Sequence, residues 1–276
     1  MRKTMQKVMS FYLFLFLLPI LLIKLPMLAF GVDTPTKVET QPVAYAANVT
    51  KEIPVVNAAE EISLEPVKNP INVLLYFTHI QESYQPIVEK KLGLKAVNYH
   101  PTANISNVSD LVIQHFQLNG NSVDVLEFDN MKNMQISGAY TKIRPYLQKQ
   151  LTEKNYDVLL DLHRDSIKRE KTTIHSGGTT YARMTFVVGA EHTNYKMNEA
   201  FSKAVSNEVN RLVPSISRGV LAKTHDTGNG VYNQDLSSHA LLVELGGIEN
   251  TEEEINRTIA ILAKAISVVF ENNTAT

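Results

Sequence analysis

This chain has three apolar stretches, each of which leads into a side chain that could bind a metal ion or carry a proton. The side chains are His79 and Glu82 after residues 71–77, His163 after residues 157–162, and Glu244 after residues 240–243. Two imidazoles and one carboxylate form a ligand set for a catalytic zinc ion that keeps one position open for water. A second carboxylate next to such an ion can act as the general base. These residue types therefore predict a zinc site of the hydrolytic kind.

His79 and Glu82 form an H-x-x-E pair just beyond the first apolar stretch. Imidazole nitrogen and carboxylate oxygen both bind zinc at about 2.0–2.2 Å. One tight turn supplies both ligands with little additional ordering of the chain. The same spacing also arises by chance, with a capping glutamate and a surface histidine, so the pair is informative only together with the other stretches.

His163 is followed directly by Arg164 and Asp165. Asp165 could orient a ligating imidazole, and Arg164 could stabilise an oxyanion that develops during catalysis. The alternative is that these two residues form a salt-bridged turn with no part in catalysis.

Glu244 interrupts an otherwise apolar strand pattern. Burying a carboxylate costs several kcal/mol unless the group is paired or bound to a metal. Near zinc, Glu244 could act as general base and acid with a pKa that burial raises. Gly246 and Gly247 are expected to leave space for a ligand beside it. The alternative is an ion pair of Glu244 with Arg218 or Arg164.

Composition excludes several classes of function. The 276 residues contain no cysteine, which excludes disulfides, thiolate metal sites and a cysteine nucleophile. The 27 basic residues nearly balance the 28 acidic ones, and no basic stripe indicates nucleic-acid binding. Ser83, Ser166 and the stretch at residues 228–230 lack the setting of a nucleophile elbow or a phosphate-binding loop.

The first seventy residues differ in texture from the rest. Arg2, Lys3 and Lys7 precede an apolar run over residues 8–23 that continues, after Lys24, to residue 30. The run approaches the roughly 20 residues that cross a bilayer, and no good cleavage site follows it closely. We expect residues 1–30 to be an N-terminal anchor rather than a cleaved signal, residues 31–70 to be a flexible tether, and residues 71–272 to be the catalytic domain. The positive flank places that domain outside the cytoplasm.

Strand-like and helix-like patterns alternate from residue 71 onwards. Strands are predicted at residues 72–77, 123–128, 157–162 and 241–245, and helices at residues 107–118, 136–153 and 194–212. A hairpin is predicted around residues 177–178, between residues 172–174 and 182–188. A last helix is predicted to begin at a capping box of Thr251 and Glu254. This order predicts an α/β fold with an open, mostly parallel twisted sheet flanked by helices. Sites in such sheets form at the carboxyl ends of strands, where His79, His163 and Glu244 fall.

At these residues the sequence resembles the stage II sporulation protein P family of peptidoglycan hydrolases. The matching stretches follow the family order and are residues 73–84, 161–165, 217–219, 232–236, 241–247 and 249–251. The resemblance implies an amidase-like fold with one zinc ion held by His79, Glu82 and His163, and a catalytic role for Glu244. Four further residues in or beside these stretches are candidates for substrate binding: Arg218, Asn233, Gln234 and Asp235.

The resemblance also implies a reaction and a biological setting. The reaction is hydrolysis of the amide between N-acetylmuramic acid and L-alanine in peptidoglycan, with endopeptidase activity on stem peptides. The setting is engulfment during endospore formation, at the membrane, beside a lytic transglycosylase and other membrane partners.

The chain departs from the family pattern, most clearly at Phe77, and two rival functions remain. Phe77 stands where many members carry a histidine, so a supporting contact from that histidine would be lost. A zinc carboxypeptidase has the same order of ligands but needs a buried arginine for the free carboxylate, for which Arg218 or Arg164 would serve. A wall-binding scaffold without catalysis is the non-enzymatic alternative.

Overall fold

The computed structural model describes residues 69–129, 131 and 137–274 of the chain. The predicted anchor at residues 1–30 lies outside the described residues, as does the predicted tether except for its last two residues. Within the described part of the chain, no helix combines the length and apolarity that a membrane span requires.

A mixed sheet forms the centre of the described domain. The strands are β1 (Asn72–Tyr76), β2 (Ser122–Leu126), β3 (Val158–Asp165), β4 (Thr173–Ser176), β5 (Thr179–Ala182), β6 (Met184–Gly189), β7 (Ser217–Lys223) and β8 (Ala240–Gly247). Six of the strands in the described residues form one sheet in the order β2-β1-β3-β8-β6-β7, and β4 and β5 form a separate hairpin. Neighbouring strands in the large sheet are parallel except for β8 and β6, which are antiparallel. The predicted, mostly parallel α/β sheet is therefore confirmed.

The helices cover both faces of this sheet. They are α1 (Gln85–Leu92), α2 (Ser109–Leu118), α3 (Ala139–Glu153), α4 (Arg169–Thr172), α5 (Tyr195–Leu212) and α6 (Glu252–Thr274). The larger apolar cluster joins one sheet face to buried side chains of α2, α5 and α6. A smaller cluster joins the opposite face to Ile143 and Leu147 of α3. The sheet is thus a middle layer, with α3 alone contributing helical side chains to the smaller cluster.

Alternation along β3 determines which face receives the polar side chains. Leu160 and Leu162 belong to the larger cluster, whereas Leu159 belongs to the smaller one. Successive side chains of a strand point to opposite faces, so Asp161 and His163 share the face of Leu159. The polar groups at the end of β3 therefore lie on the face that α3 covers.

The start of α6 bears out the predicted capping box. The backbone N–H of Thr251 donates to Oε2 of Glu254 at 3.1 Å, and the N–H of Glu254 donates to Oγ1 of Thr251 at 3.3 Å. These reciprocal bonds satisfy two donors that the helix itself leaves free.

One predicted feature differs from the structure, and some observed elements have no counterpart among the predicted ones. The hairpin was expected to pair residues 172–174 with residues 182–188, but the partner of β4 is β5, and β6 is a separate strand of the large sheet. The sequence pattern also gave no sign of α1 or β7. α1 is short and strongly charged over its second half, and β7 lies at the sheet edge, where its half-exposed side chains show no continuous apolar run.

Candidate metal centre

His79 and Glu82 occupy one tight turn beyond β1. The backbone N–H of Glu82 donates to the carbonyl oxygen of His79 at 3.0 Å, which closes the turn. Nδ1 of His79 lies 3.5 Å from Oε1 of Glu82. The Glu82 side chain is buried, and its Oε2 accepts a hydrogen bond from the backbone N–H of Arg164 in β3 at 2.7 Å. The turn therefore brings both predicted ligands against the end of β3.

His163 completes the group of three predicted ligands. Its Nδ1 lies 3.8 Å from Oε2 of Glu82, and its ring centroid is 4.9 Å from that of His79. Candidate ligand atoms of the three residues all lie within 4.8 Å of one another. In a tetrahedral zinc site with bonds of about 2.0–2.1 Å, neighbouring ligand atoms are about 3.4 Å apart. The three side chains therefore fit a metal ion with small rotations.

The electrostatics of this group favour a cation. Burial alone would lower the pKa of His163, but Asp161 and the nearby glutamates raise it to about 10. Burial alone would raise the pKa of Glu82, but the two imidazoles and Arg164 lower it. Both shifts show that the surroundings stabilise positive charge on the imidazole and negative charge on the carboxylate. A bound divalent cation satisfies the same acidic groups.

The carboxylate next to His163 is that of Asp161, two residues before it on the same strand face. Oδ2 of Asp161 lies 3.1 Å from Nε2 of His163, which is an ion-pair distance, although the two atoms lack the alignment of a hydrogen bond. Thr78 holds this carboxylate with its backbone N–H at 2.9 Å and its hydroxyl at 2.7 Å. A carboxylate in this position is the usual support of a metal-ligating imidazole.

Asp165, for which the sequence left open a contact to the imidazole or a salt bridge, forms a salt bridge. Its Oδ2 accepts a hydrogen bond from Arg218 at 2.6 Å. The register between β3 and β8 shifts between His163 and Asp165, and such an irregularity re-aims the side chains that follow it. Of the two alternatives for Asp165, the structure shows the salt bridge.

Glu244 lies directly beside the ligand group. Glu244 belongs to β8, and its cross-strand neighbours are His163 of β3 and Thr185 of β6, so the three residues share one sheet face. Oε2 of Glu244 is buried without a hydrogen-bond partner among the described residues. Burial, reinforced by Glu82 and Asp165, raises the pKa of Glu244 to about 7. An unpartnered carboxylate with this pKa can take up and release a proton near neutral pH.

The space expected beside Gly246 and Gly247 is filled by the protein. A Cβ at Gly247 would lie 2.4 Å from the carbonyl oxygen of Ile167, and a Cβ at Gly246 would lie 2.9 Å from Oδ1 of Asn250. Gly246 also has a φ of +65°, a conformation that favours glycine. The expectation of a ligand approach is therefore wrong, and these glycines serve close packing instead.

The two candidate arginines are engaged with neighbouring protein groups. The guanidinium of Arg164 donates to the carbonyl oxygen of Asn98 at 2.7 Å and to that of Asp165 at 3.3 Å, and it lies over the ring of Tyr99. Arg218 pairs with Asp165. The catalytic role of Arg164 and the substrate-binding role of Arg218 stay predictions.

The residues at 233–235 are held by α3 and β6. Arg144 of α3 donates to Oδ1 of Asn233 at 3.1 Å and to both carboxylate oxygens of Asp235 at 2.8 and 2.6 Å. The amide of Gln234 donates to one backbone carbonyl of β6 and accepts from one backbone N–H of the same strand, each at 2.8 Å. Every one of these side chains is thus bonded to the protein, and their binding of substrate stays a prediction.

Tyr140, which the sequence analysis did not single out, lies at the start of α3 over the ligand group. Its ring centroid is 5.5 Å from that of His79 in an edge contact and 6.3 Å from that of His163 in a stacked contact. The only sequence signal for it is its place at the first turn of a helix after Gly138, which is not specific.

Phe77 does not face the ligand group. It belongs to the larger apolar cluster together with Val73 and Leu75, on the opposite face of the sheet from His163. The phenylalanine at this position is therefore a residue of the core, and its presence removes no contact to the predicted ligands.

Fold and site together define an α/β protein whose sheet presents a His–Glu–His group able to bind a metal ion. The sequence matches the family model "Stage II sporulation protein P (SpoIIP)" over residues 34–267, and the chain belongs to that family. Stage II sporulation protein P of Bacillus subtilis (strain 168) is 33% identical to it over 204 residues, which cover 72% of this chain and 51% of the relative. The chain thus spans about half the length of the curated relative it matches.

Solved structures with some likeness to the chain include two amidases and a peptidase. The CwlD amidase of Clostridioides difficile in complex with the GerS lipoprotein has a TM-score of 0.47 at 13% identity, over 74% of this chain and 98% of that one. An N-acetylmuramoyl-L-alanine amidase of Clostridium difficile 630 scores 0.44 at 14% identity, over 75% and 98%. A metallo-carboxypeptidase of Burkholderia cenocepacia scores 0.43 at 9% identity, over 74% and 58%. All three TM-scores are below 0.5.

Proposed function

We propose that this protein is a zinc-dependent peptidoglycan hydrolase that acts in sporulation and cleaves the amide between N-acetylmuramic acid and L-alanine. The observation that carries the proposal is the convergence of His79, Glu82 and His163 beside the unpartnered carboxylate of Glu244. Membership in the SpoIIP family supports the substrate and the setting. Endopeptidase activity on stem peptides is a second activity of the same site.

His79, Glu82 and His163 would hold the zinc ion. When bound, zinc polarises the scissile carbonyl and lowers the pKa of water to about 7. Glu244 takes a proton from the water as its oxygen forms a bond to the carbonyl carbon of the lactyl amide. Glu244 then returns that proton to the alanine nitrogen as the carbon–nitrogen bond breaks. Its raised pKa suits both steps.

A carboxypeptidase is the weaker reading of the same site. Such an enzyme must grip a free substrate carboxylate with an arginine. Arg218 already pairs with Asp165, and Arg164 donates to two backbone carbonyls. A scaffold without catalysis is also weaker, because it gives no reason for an unpaired carboxylate beside three ligand-type side chains.

We further propose where the protein acts and with what. The basic flank and apolar run at residues 1–30 support a single membrane anchor, with the catalytic domain outside the cytoplasm facing the wall. A lytic transglycosylase is the partner that the family implies, because it would cut the glycan strands from which this enzyme removes peptides.

The test is digestion of purified sacculi by the full chain, followed by mass spectrometry of the soluble products. We expect peptides with a new N-terminal L-alanine and glycan strands without peptides, both absent when a chelator is present. Release of single C-terminal residues would instead indicate a carboxypeptidase.

The matched control is Glu244→Gln, which keeps the size of the side chain and removes its basicity. We expect this variant to bind zinc with the wild-type stoichiometry and to release no peptides. Wild-type cleavage by Glu244→Gln would refute the role of Glu244, and a wild-type chain with no bound zinc and no products would refute the proposed function.

A further inference from the structure

The ring of Tyr140 forms a wall of the candidate metal centre. It contacts the imidazoles of both His79 and His163, at 5.5 and 6.3 Å between ring centroids. The side chain is only partly buried. Its phenol can donate a hydrogen bond, and a substrate held at the three ligand-type side chains would lie beside its ring.

Hydrolysis of an amide places negative charge on the carbonyl oxygen, and a donor aimed at that oxygen lowers the barrier. The sequence suggested Arg164 for this task. Its two terminal guanidinium nitrogens donate to the backbone at Asn98 and Asp165, and its buried Nε has no partner among the described residues. Arg218 is held by the Asp165 carboxylate. Tyr140 is the donor-bearing side chain whose ring lies against both imidazoles.

The segment at residues 232–236 clamps the first turn of α3, where Tyr140 lies. Nδ2 of Asn233 donates to the carbonyl oxygen of Tyr140 at 2.9 Å. Oδ1 of the same amide accepts from Arg144, which lies one turn further along α3 and pairs with Asp235. The ring of Tyr232 meets that of Tyr140 edge-on at 5.1 Å. This clamp, residues 232–236, therefore contacts the backbone of Tyr140, the following turn of α3 and the Tyr140 ring.

The backbone of this segment is strained in a way that the clamp explains. Tyr232 and Asn233 both have a φ of 56°, in the left-handed region. Tyrosine rarely adopts this conformation, whereas asparagine does so more readily. Such strain persists where the surrounding contacts impose it, and it is common at functional sites. Here it turns the Tyr232 ring and the Asn233 amide towards Tyr140.

We infer that Tyr140 is a catalytic residue that donates a hydrogen bond from its phenol to the carbonyl oxygen of the scissile amide, and that Asn233 positions it. This inference rests on the proposed function and adds a residue to it. It also assigns a positioning task to a stretch, residues 232–236, that sequence resemblance had linked only to substrate binding.

The first arm of the test is Tyr140→Phe, which removes the hydroxyl and keeps the ring contacts. Kinetics are measured on the full chain with soluble, uncross-linked glycan strands that carry stem peptides. We expect kcat to fall by about 100-fold, the size found when one oxyanion donor is lost. KM, zinc content and the melting temperature should stay at wild-type values. Wild-type kcat in a zinc-loaded Tyr140→Phe variant would overturn the inference.

The second arm is Asn233→Gly, which removes the clamping amide while glycine tolerates the left-handed backbone. The matched control is Ser215→Gly, because Ser215 also has a positive φ, of 67°, and its carbonyl oxygen accepts a hydrogen bond from Arg183, which is not part of α3. We expect Asn233→Gly to lower kcat and Ser215→Gly to leave it unchanged.

The double variant Tyr140→Phe/Asn233→Gly separates positioning from a general structural effect. If Asn233 acts through the hydroxyl of Tyr140, the double variant should have the same kcat as Tyr140→Phe alone. Losses that multiply would show that Asn233 acts independently and would overturn its positioning role. A wild-type chain that binds zinc but releases no peptides would instead defeat the proposed function, and this inference with it.

Discussion

Replacement of Asp161 by asparagine tests the organisation of the metal centre most directly. The carboxylate is 1% exposed, lies 3.1 Å from Nε2 of His163, and accepts two hydrogen bonds from Thr78. Asparagine preserves the shape but removes the charge that fixes the imidazole. Loss of such a contact typically weakens metal affinity by about 10- to 100-fold, which corresponds to about 1.4–2.7 kcal/mol of binding free energy.

The measurement is zinc affinity of the full chain, stripped of metal and titrated in competition with a chromogenic chelator. Asp165→Asn is the matched control, because the side chain is two residues from His163 on the other side but pairs with Arg218. We expect Asp165→Asn to leave the dissociation constant unchanged. Thr78→Val removes one of the two hydrogen bonds to Asp161, so we expect an intermediate effect. The reasoning fails if Asp161→Asn binds zinc like the wild type, or if Asp165→Asn is equally impaired.

Two further predictions concern stability. Oγ1 of Thr185 is buried without a hydrogen-bond partner among the described residues. Thr185→Val removes this hydroxyl, which should raise the free energy of unfolding by about 1 kcal/mol and the melting temperature by about 2–4 °C. The control Thr185→Ser keeps the hydroxyl and should not raise the melting temperature. Burial would raise the pKa of Glu254, but hydrogen bonds from Arg169 and Asn250 lower it from 4.5 to about 2, so its contribution to stability is complete above about pH 5 and disappears as the pH falls towards 2. Glu254→Gln removes this charge and can keep the capping box. We therefore expect it to lower the free energy of unfolding, measured in urea at pH 7, by about 2 kcal/mol, a value that allows for solvent screening at the half-exposed Arg169. An equal loss at pH 2 would contradict this reasoning.

The ligand group was predictable because each member carries its own local signal. His79 and Glu82 are three residues apart, which is the reach of one turn, and that turn forms. His163 and Glu244 each follow an apolar run that reads as a buried strand. What the sequence could not give is the adjacency of β3 and β8, which are separated by four other strands along the chain. That adjacency makes His163 and Glu244 cross-strand neighbours.

The supporting residues were harder to predict because their roles depend on local irregularity. Asp161 and Asp165 are both two residues from His163, so alternation alone places both on its face. The register shift after His163 decides between them, and nothing in the sequence marks it. Tyr140 and residues 232–236 meet only through tertiary packing. The hydrogen bond from Asn233 to Tyr140 depends on a left-handed backbone conformation at Asn233, which could not be predicted because the residue is not glycine.

The balance of charge on this sheet face argues for a bound cation independently of the family. Asp161 and Glu82 are buried and Glu244 is largely so, and each buried carboxylate costs several kcal/mol unless it is compensated. The strands that carry them are otherwise apolar, so leucine at the same positions would serve the core better. Hydrogen bonds from Thr78 and the backbone compensate only part of this cost, and Oε2 of Glu244 receives none among the described residues. The same carboxylates raise the pKa of His163 to about 10, so a protonated imidazole compensates part of this negative charge. We propose that a divalent ion held by His79, Glu82 and His163 takes over that compensation.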